Sequence, residues 1–191
     1  MIKTAIIGYG YMGEIRRRVV EKHPDMELVL VCENDKSKLQ GNYPFEISRK
    51  FESVYTSDAD LVIVCTPNNL IPNLTIECMK LGKHVFAEKP PGTCLQDIVN
   101  MMEQEKASEN VKLMFGFNHR YHPGVLRAKE IIDSGRLGKL LWLRGVYGKS
   151  GGKNFRSSWR NSKEVSGGGI LLDQGIHMLD IFNLFAGDFN L

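Results

Sequence analysis

The chain has 191 residues, 42% of them hydrophobic and 25% charged, with a formal net charge of +3 at pH 7. That length holds one full domain and part of another, and the composition is that of a soluble globular chain. The charge is too mild to imply a nucleic-acid partner, and Arg16-Arg17-Arg18, the densest basic cluster, has no interleaved aromatics and reads as the solvated face of a helix.

Ile2 to Ile7 opens the chain as a buried strand, with no basic leader and no apolar stretch of the signal-peptide kind. No run of about 18 apolar residues follows, so no membrane span is expected. Residues 11–22 read as a helix and Glu27–Cys32 as a second strand. Phe45-Glu46-Ile47 is a candidate third strand, and Leu61–Cys65 has the doubly buried character of a parallel sheet. Residues 69–81 form a helix with Pro72 in its first turn, stopped by Gly82. His84–Ala87 is a strand, 95–109 a helix and Lys112–Phe115 another strand. Alternating strands and helices with short links give an α/β fold, a doubly wound parallel sheet whose strand ends share one ligand-binding edge.

The pattern changes after Gly116. A helix runs from about Pro123 to Ser134, then a strand at Leu140–Tyr147, a polar glycine-rich loop at 148–169 and a helix at 170–185. That last helix is apolar on nearly every side, as in a helix buried on several sides; left uncovered, Leu179, Phe182 and Phe185 would face water. Gly148-Lys149-Ser150 looks like the end of a phosphate loop, but the pattern needs glycine at 143, which is Leu143. The four cysteines, Cys32, Cys65, Cys78 and Cys94, have no paired spacing and read as buried free thiols in a reducing cytoplasm.

Three motifs carry chemistry. Gly8-Tyr9-Gly10-Tyr11-Met12-Gly13 sits between a predicted strand and helix, the context a dinucleotide turn requires. Gly8 permits the turn, Gly10 lets a pyrophosphate approach, and Gly13 lets helix and strand pack. Free N–H groups at the helix start, around Tyr11 and Met12, would meet the phosphates. A purely structural glycine turn is the competing reading. About 20 residues on, Glu33 ends the second strand; an acid there accepts from ribose hydroxyls and repels a 2′-phosphate, favouring NAD over NADP. Asp35 competes for that role, and either could cap the next helix. Thr66-Pro67-Asn68 and Glu88-Lys89-Pro90 end two further strands at the same edge. A lysine there can orient a reacting hydroxyl and stabilise its negative charge, although surface lysines are common.

Asp173 and His177, spaced i, i+4, share one helix face. Imidazole titrates near neutrality and suits proton exchange with an alcohol. A capping Asp with a core His, or a metal pair, are the alternatives; no further ligand at metal-site spacing accompanies them, so no metal is expected.

Taken together, GYGYMG, TPN, GKHVFAEKP and SGGGILLDQGIHMLD resemble the Gfo/Idh/MocA oxidoreductases, the glucose–fructose oxidoreductase and inositol dehydrogenase group. The resemblance runs from residue 2 to the end. It implies an NAD(P)-binding Rossmann domain over 1–117 and, over 118–191, the first strand and cleft helix of an α/β domain with an open, antiparallel-rich sheet. It implies that Lys89, Asp173 and His177 are the catalytic trio, and that Glu88 and Lys89 join Gly8, Gly10, Tyr11, Met12, Gly13, Glu33, Thr66, Pro67 and Asn68 around the cofactor. Asn118, Arg120, Trp159 and Arg160 would line the substrate cleft. It further implies a cis Lys89–Pro90 bond, a sugar, sugar nucleotide or cyclitol as substrate, and a homo-oligomer once the second domain is whole. Where many relatives carry histidine, three residues after the TPN asparagine, this chain has Ile71.

Overall fold

Short aliphatic runs become six parallel strands in the computed structural model, which describes residues 1–148 and 158–189. They are β1 (Ile2–Ile7), β2 (Met26–Cys32), β3 (Glu46–Ser48), β4 (Leu61–Val64), β5 (His84–Ala87) and β6 (Leu113–Phe115). Their order is β3-β2-β1-β4-β5-β6, so the strand sequence reverses between β1 and β4. Ligands of doubly wound sheets bind at that reversal, outside the carboxyl ends of the strands. The register of β1 on β2 slips between Thr4 and Ala5, whose partners are Leu28 and Leu30.

Both faces of this sheet are covered, because successive strand residues point to opposite sides. Ala5 and Ile7 of β1 belong to one buried cluster, and Ile6 between them belongs to another. The first cluster is closed by α3 (Ile71–Lys80) and by Met101 of α4 (Leu95–Ala107). In α3 the buried positions Ile71, Leu74, Thr75, Cys78 and Met79 fall at the spacing of one helical stripe. Each large apolar member contributes roughly 1.5–3 kcal/mol by leaving water. The second cluster is closed by Val20 of α1 (Tyr11–Lys22), with Tyr9 and Phe45. A short α2 (Glu52–Thr56), absent from the sequence-based expectation, packs Val54 into the first cluster. The start and end of α3 fold as expected, with Pro72 in the first turn and Gly82 in a left-handed conformation just past the end (φ +75°).

The chain divides into two compact units, Met1–Gly116 and Phe117–Leu191. The second contains a 3₁₀ turn at Asn118–Tyr121, α5 (Pro123–Asp133), a 3₁₀ turn at Trp159–Asn161, α6 (Lys163–Ser166) and α7 (Ile176–Ala186). Pro123 opens α5, and His122 caps it by accepting from the Gly124 N–H at 3.2 Å.

Several expectations are corrected here. Residues 140–147, expected as a strand, form none: a strand needs a ladder partner, and no described residue of this unit pairs with them. The 148–169 loop holds two short helices, while residues 149–157, including Lys149 and Ser150, lie outside the described residues. The helix at 170–185 is a π segment, Leu171–Gly175, running into α7. It is less buried than its composition suggests. Only Gln174 and His177 are fully buried in it, Leu179 is exposed, and Phe182 and Phe185 are half-buried. Among the described residues every fully buried hydrophobic side chain lies between Ala5 and Val111, while Leu141, Trp142 and Val146 are 83%, 73% and 84% exposed.

The cysteines also divide. All four are free; Cys32 and Cys78 are buried, Cys65 is half-buried and Cys94 is exposed. Cys94 starts α4, where its N–H and that of Thr93 donate to the Asp97 carboxylate at 3.2 and 2.7 Å, so its side chain faces outward rather than into the core as expected. Burial pushes the Cys32 thiol up to about 11 and the Cys78 thiol to about 12, and it raises Cys65 as well. Thiolates are the reactive species, so an alkylating reagent at pH 8 is expected to label Cys94 first in the native protein. Intact-mass spectra should show a single fast adduct, and all four only after denaturation.

Gly13 of α1 sets a second expectation. A Cβ built on it would lie 2.1 Å from the Gly8 carbonyl oxygen, which is backbone and cannot swing aside. Gly13→Ala should destabilise the fold by about 2 kcal/mol or more, read as a fall in the midpoint of urea unfolding.

Candidate active site

Gly8 leaves β1 with φ +90°, a conformation other residues resist. It also runs so close to β4 that a Cβ would lie 2.6 Å from the Cys65 carbonyl oxygen. The turn is therefore packed on one side by Cys65 and on the other by Gly13. Gly10 differs: a Cβ there would meet nothing within 4 Å. Gly10 also stands at the N-cap of α1, where it has no side chain with which to cap the helix's first amides. Open space in front of a helix start suits an anionic group. The turn thus separates two glycines needed for packing from one facing the approach to the helix.

Beside it lies an open cleft of about 370 Å³, lined by Tyr9, Gly10, Tyr11, Glu14, Arg17, Lys38 and Tyr43. Tyr43 forms its wall, stacked on Phe45 (centroids 5.0 Å apart) and edge-on to Tyr9 at 6.2 Å. Glu33, at the end of β2, reaches back to the turn: its carboxylate accepts from the Tyr9 N–H at 2.7 Å and the Asp35 N–H at 2.9 Å. Lys38 stands 3.5 Å from the same carboxylate. Asp35 caps the short 3₁₀ turn Lys36–Lys38 by accepting from the Ser37 N–H, so of the two acids it is the one that caps. Open space at Gly10 and the carboxylate held against the turn fit a dinucleotide.

Thr66, Pro67 and Asn68 follow β4, with Asn68 buried and Thr66 half-buried. Glu88 and Lys89 follow β5, and the Lys89–Pro90 bond is cis, as expected. Lys89 is half-buried. Glu88 is buried and committed: Arg16 of α1 donates from Nε to its Oε1 at 2.7 Å, with Nη2 at 2.5 Å from the same oxygen. This corrects the reading of the three arginines as one solvated face. Arg17 pairs with Glu21 and Arg18 with Glu14 along the helix, but Arg16 leaves it for β5. A side chain three residues past the last fingerprint glycine gives no sequence sign of a partner 72 residues away.

In the second unit, Asp173 lies in the π segment and His177 in the first turn of α7. The His177 ring is buried and stacked on His119, with centroids 3.9 Å apart and planes 20° from parallel. Phe117 and Tyr147 present edges to it, each at 6.2 Å. Arg160 stacks on Trp159 at 4.5 Å and brings its Nε to 3.5 Å from Asp173 Oδ1. Arg120 is clamped by Asp180, its Nε donating to both carboxylate oxygens at 2.9 and 2.7 Å. Asn118 is exposed. His119, Tyr147 and Asp180 are neighbours the sequence did not single out: each is an ordinary residue until the fold stacks or pairs it. Among the described residues no three His, Cys, Asp or Glu side chains gather as they would around a metal, and no helix is long and apolar enough to cross a membrane.

Comparisons with known proteins bear directly on this arrangement. Residues 2–117 match the model of the oxidoreductase family with an NAD-binding Rossmann fold, and residues 125–190 match a Gfo/Idh/MocA C-terminal domain. An uncharacterized oxidoreductase of Streptococcus pneumoniae is 31% identical over 98% of this chain and 51% of its own. Levoglucosan dehydrogenase of Pseudarthrobacter phenanthrenivorans is 27% identical over 99% of this chain and 52% of its own. The crystal structure of myo-inositol 2-dehydrogenase from Lactobacillus plantarum superposes with a TM-score of 0.86 at 30% identity, over 97% of this chain and 56% of that one. The chain spans about half the length of the curated relatives it matches. With its parallel sheet, its glycine turn open at Gly10 and matches along nearly its whole length, the chain belongs to the Gfo/Idh/MocA oxidoreductase family.

Proposed function

We propose that the chain carries the cofactor half and part of the substrate half of an NAD-dependent dehydrogenase acting on a ring carbinol of a sugar, sugar nucleotide or cyclitol. The observation that carries this reading is the retention of Lys89, Asp173 and His177, a lysine, a carboxylate and an imidazole, in a chain with an intact dinucleotide turn. A module that only sensed the dinucleotide would have no use for the three.

In this reading Gly8, Gly10, Tyr11, Met12 and Gly13 receive the pyrophosphate, and Glu33 accepts from the adenosine ribose. Thr66, Pro67 and Asn68 flank the nicotinamide half. When bound, the nicotinamide supplies the acceptor for the hydride that leaves the carbinol carbon. His177 takes the hydroxyl proton, so the carbon loses a hydride and the oxygen a proton, and a ketone results. Ring stacking on His119 and the edges of Phe117 and Tyr147 support this role by fixing the plane of the imidazole that must meet the proton. Lys89 stabilises the negative charge growing on oxygen, and Asp173 holds the hydroxyl together with Arg160. The ion pair with Asp180 supports a role for Arg120 in orienting the Asn118–Tyr121 turn beside the substrate. Four free thiols support a cytoplasmic setting, and an oligomer through the rest of the second domain belongs to the same reading.

The test is a panel of cyclitols, sugars and nucleotide sugars with the natural full-length product, followed by NADH absorbance. Turnover of at least one ring alcohol is expected, with His177→Ala and Lys89→Met each lowering kcat by about 10²-fold or more. NADH binding without turnover across the panel would assign the protein to regulation instead. Two variants check the cofactor turn by calorimetry. Gly10→Ala should leave the melting temperature nearly unchanged, since its Cβ meets open space, and weaken NAD binding about tenfold or more. Glu33→Ala should weaken NAD and narrow its margin over NADP; a parent protein that prefers NADP would overturn the Glu33 assignment.

A further inference from the structure

Of the three consecutive arginines on α1, Arg17 and Arg18 form ion pairs along the helix, and Arg16 forms its ion pair with the end of β5. Its guanidinium is caught from three sides. The Glu88 carboxylate accepts from it at 2.7 Å, the Phe86 ring lies 4.8 Å beneath it, and Gly116 at the end of β6 closes over the pair. A Cβ on Gly116 would come to 3.0 Å from Glu88 Oε2 and 3.4 Å from Arg16 Nη2. The side chains are 17% and 10% exposed. Helix α1 and the ends of β5 and β6 therefore meet on one ion pair.

Such a pair is a poor source of stability. Removing two charges from water costs several kcal/mol per ion, and an apolar pair of similar volume is often as stable. Its gain is geometric: a rigid guanidinium fork fixes the direction and distance of the carboxylate it holds. Lys89 is bonded to Glu88, about 3.8 Å from it Cα to Cα. A pinned Glu88 leaves the next residue little room to reorient. The pair also stands on the β4–β5–β6 side of the sheet, the mononucleotide half opposite the one where Glu33 stands.

We propose that Arg16 is a positioning residue: through Glu88 it fixes the backbone that presents Lys89 toward the nicotinamide half of the dinucleotide. This rests on the reading of Lys89 given under Proposed function. The helix that receives the pyrophosphate thereby also sets the lysine that meets the reacting end, through one side chain rather than through the sheet.

The experiment uses the intact protein, reductively methylated with ¹³C, and follows the Lys89 signal, assigned by its loss in Lys89→Arg, as NADH is added. ADP-ribose, which lacks the nicotinamide, is titrated in parallel, and melting is recorded for each variant. The double variant Arg16→Met with Glu88→Leu should melt near the parent and bind ADP-ribose within about twofold, yet bind NADH about tenfold more weakly, with a Lys89 signal that no longer responds. Arg16→Lys keeps the charge without the fork; it should hold stability and recover only part of the response, and it decides the matter if the double variant does not fold. A full Lys89 response and parental NADH affinity in variants that lack the fork would make the pair merely structural and overturn the proposal. If Lys89 of the parent ignores NADH that binds normally, the reading beneath the proposal fails, and the proposal fails with it.

Discussion

The first unit depends on the contact between Gly13 and the carbonyl of Gly8. No side chain fits between them, so the chain can leave β1, turn and begin α1 within a few residues. A helix begun so early directs its unsatisfied amides at the point where strand order reverses. It also brings Tyr9 beneath β2, where Glu33 accepts from its N–H, and Arg16 within reach of β5. One exclusion of a methyl group thus sets three relations: turn to ligand, turn to β2 and helix to β5. A larger residue at 13 would disturb all of them together.

The two units are held by different forces. In the first, both sheet faces are sealed by apolar side chains, and ordinary helical and strand periodicity accounts for the packing. In the second, no described hydrophobic side chain is fully buried. Directional contacts define it instead: the Arg120–Asp180 clamp, Arg160 between Trp159 and Asp173, and the imidazole stack of His119 and His177. Such contacts fix orientation at little net gain in stability, because charged and polar groups forgo water to make them. That suits a region whose task is to aim titratable groups.

What could be read from the sequence followed from how local each cause is. The strands of the first unit, the glycine turn and the Pro72 start and Gly82 stop of α3 depend on neighbours within a few residues, and their order fixes a parallel sheet. The short α2 escaped notice because five residues carry too little periodicity. Residues 140–147 carry the composition of a strand, but composition cannot supply a pairing partner. The candidate site divides in the same way. Gly8, Gly10, Gly13 and Glu33 announce themselves by spacing. Arg16, His119 and Asp180 acquire their roles from partners 72, 58 and 60 residues away in the chain, and only folding brings those together. Cys94 differs from its expected burial for a local reason: it stands at the exposed start of α4, where Asp97 accepts from its N–H.

The π segment at Leu171–Gly175 has a consequence for how this region can change over evolutionary time. A π turn is an α-helix carrying one additional residue. The wider turn absorbs that residue locally, so the helix on either side keeps the angular register it would have without it. Losing one residue of the π turn would restore regular α-helix and leave His177 on His119 and Asp180 on Arg120. Losing one between His177 and Asp180, in regular α-helix, would swing one of the two by about 100° around the axis and off its partner. A change of length is therefore open at the π turn and closed in the turn that follows it.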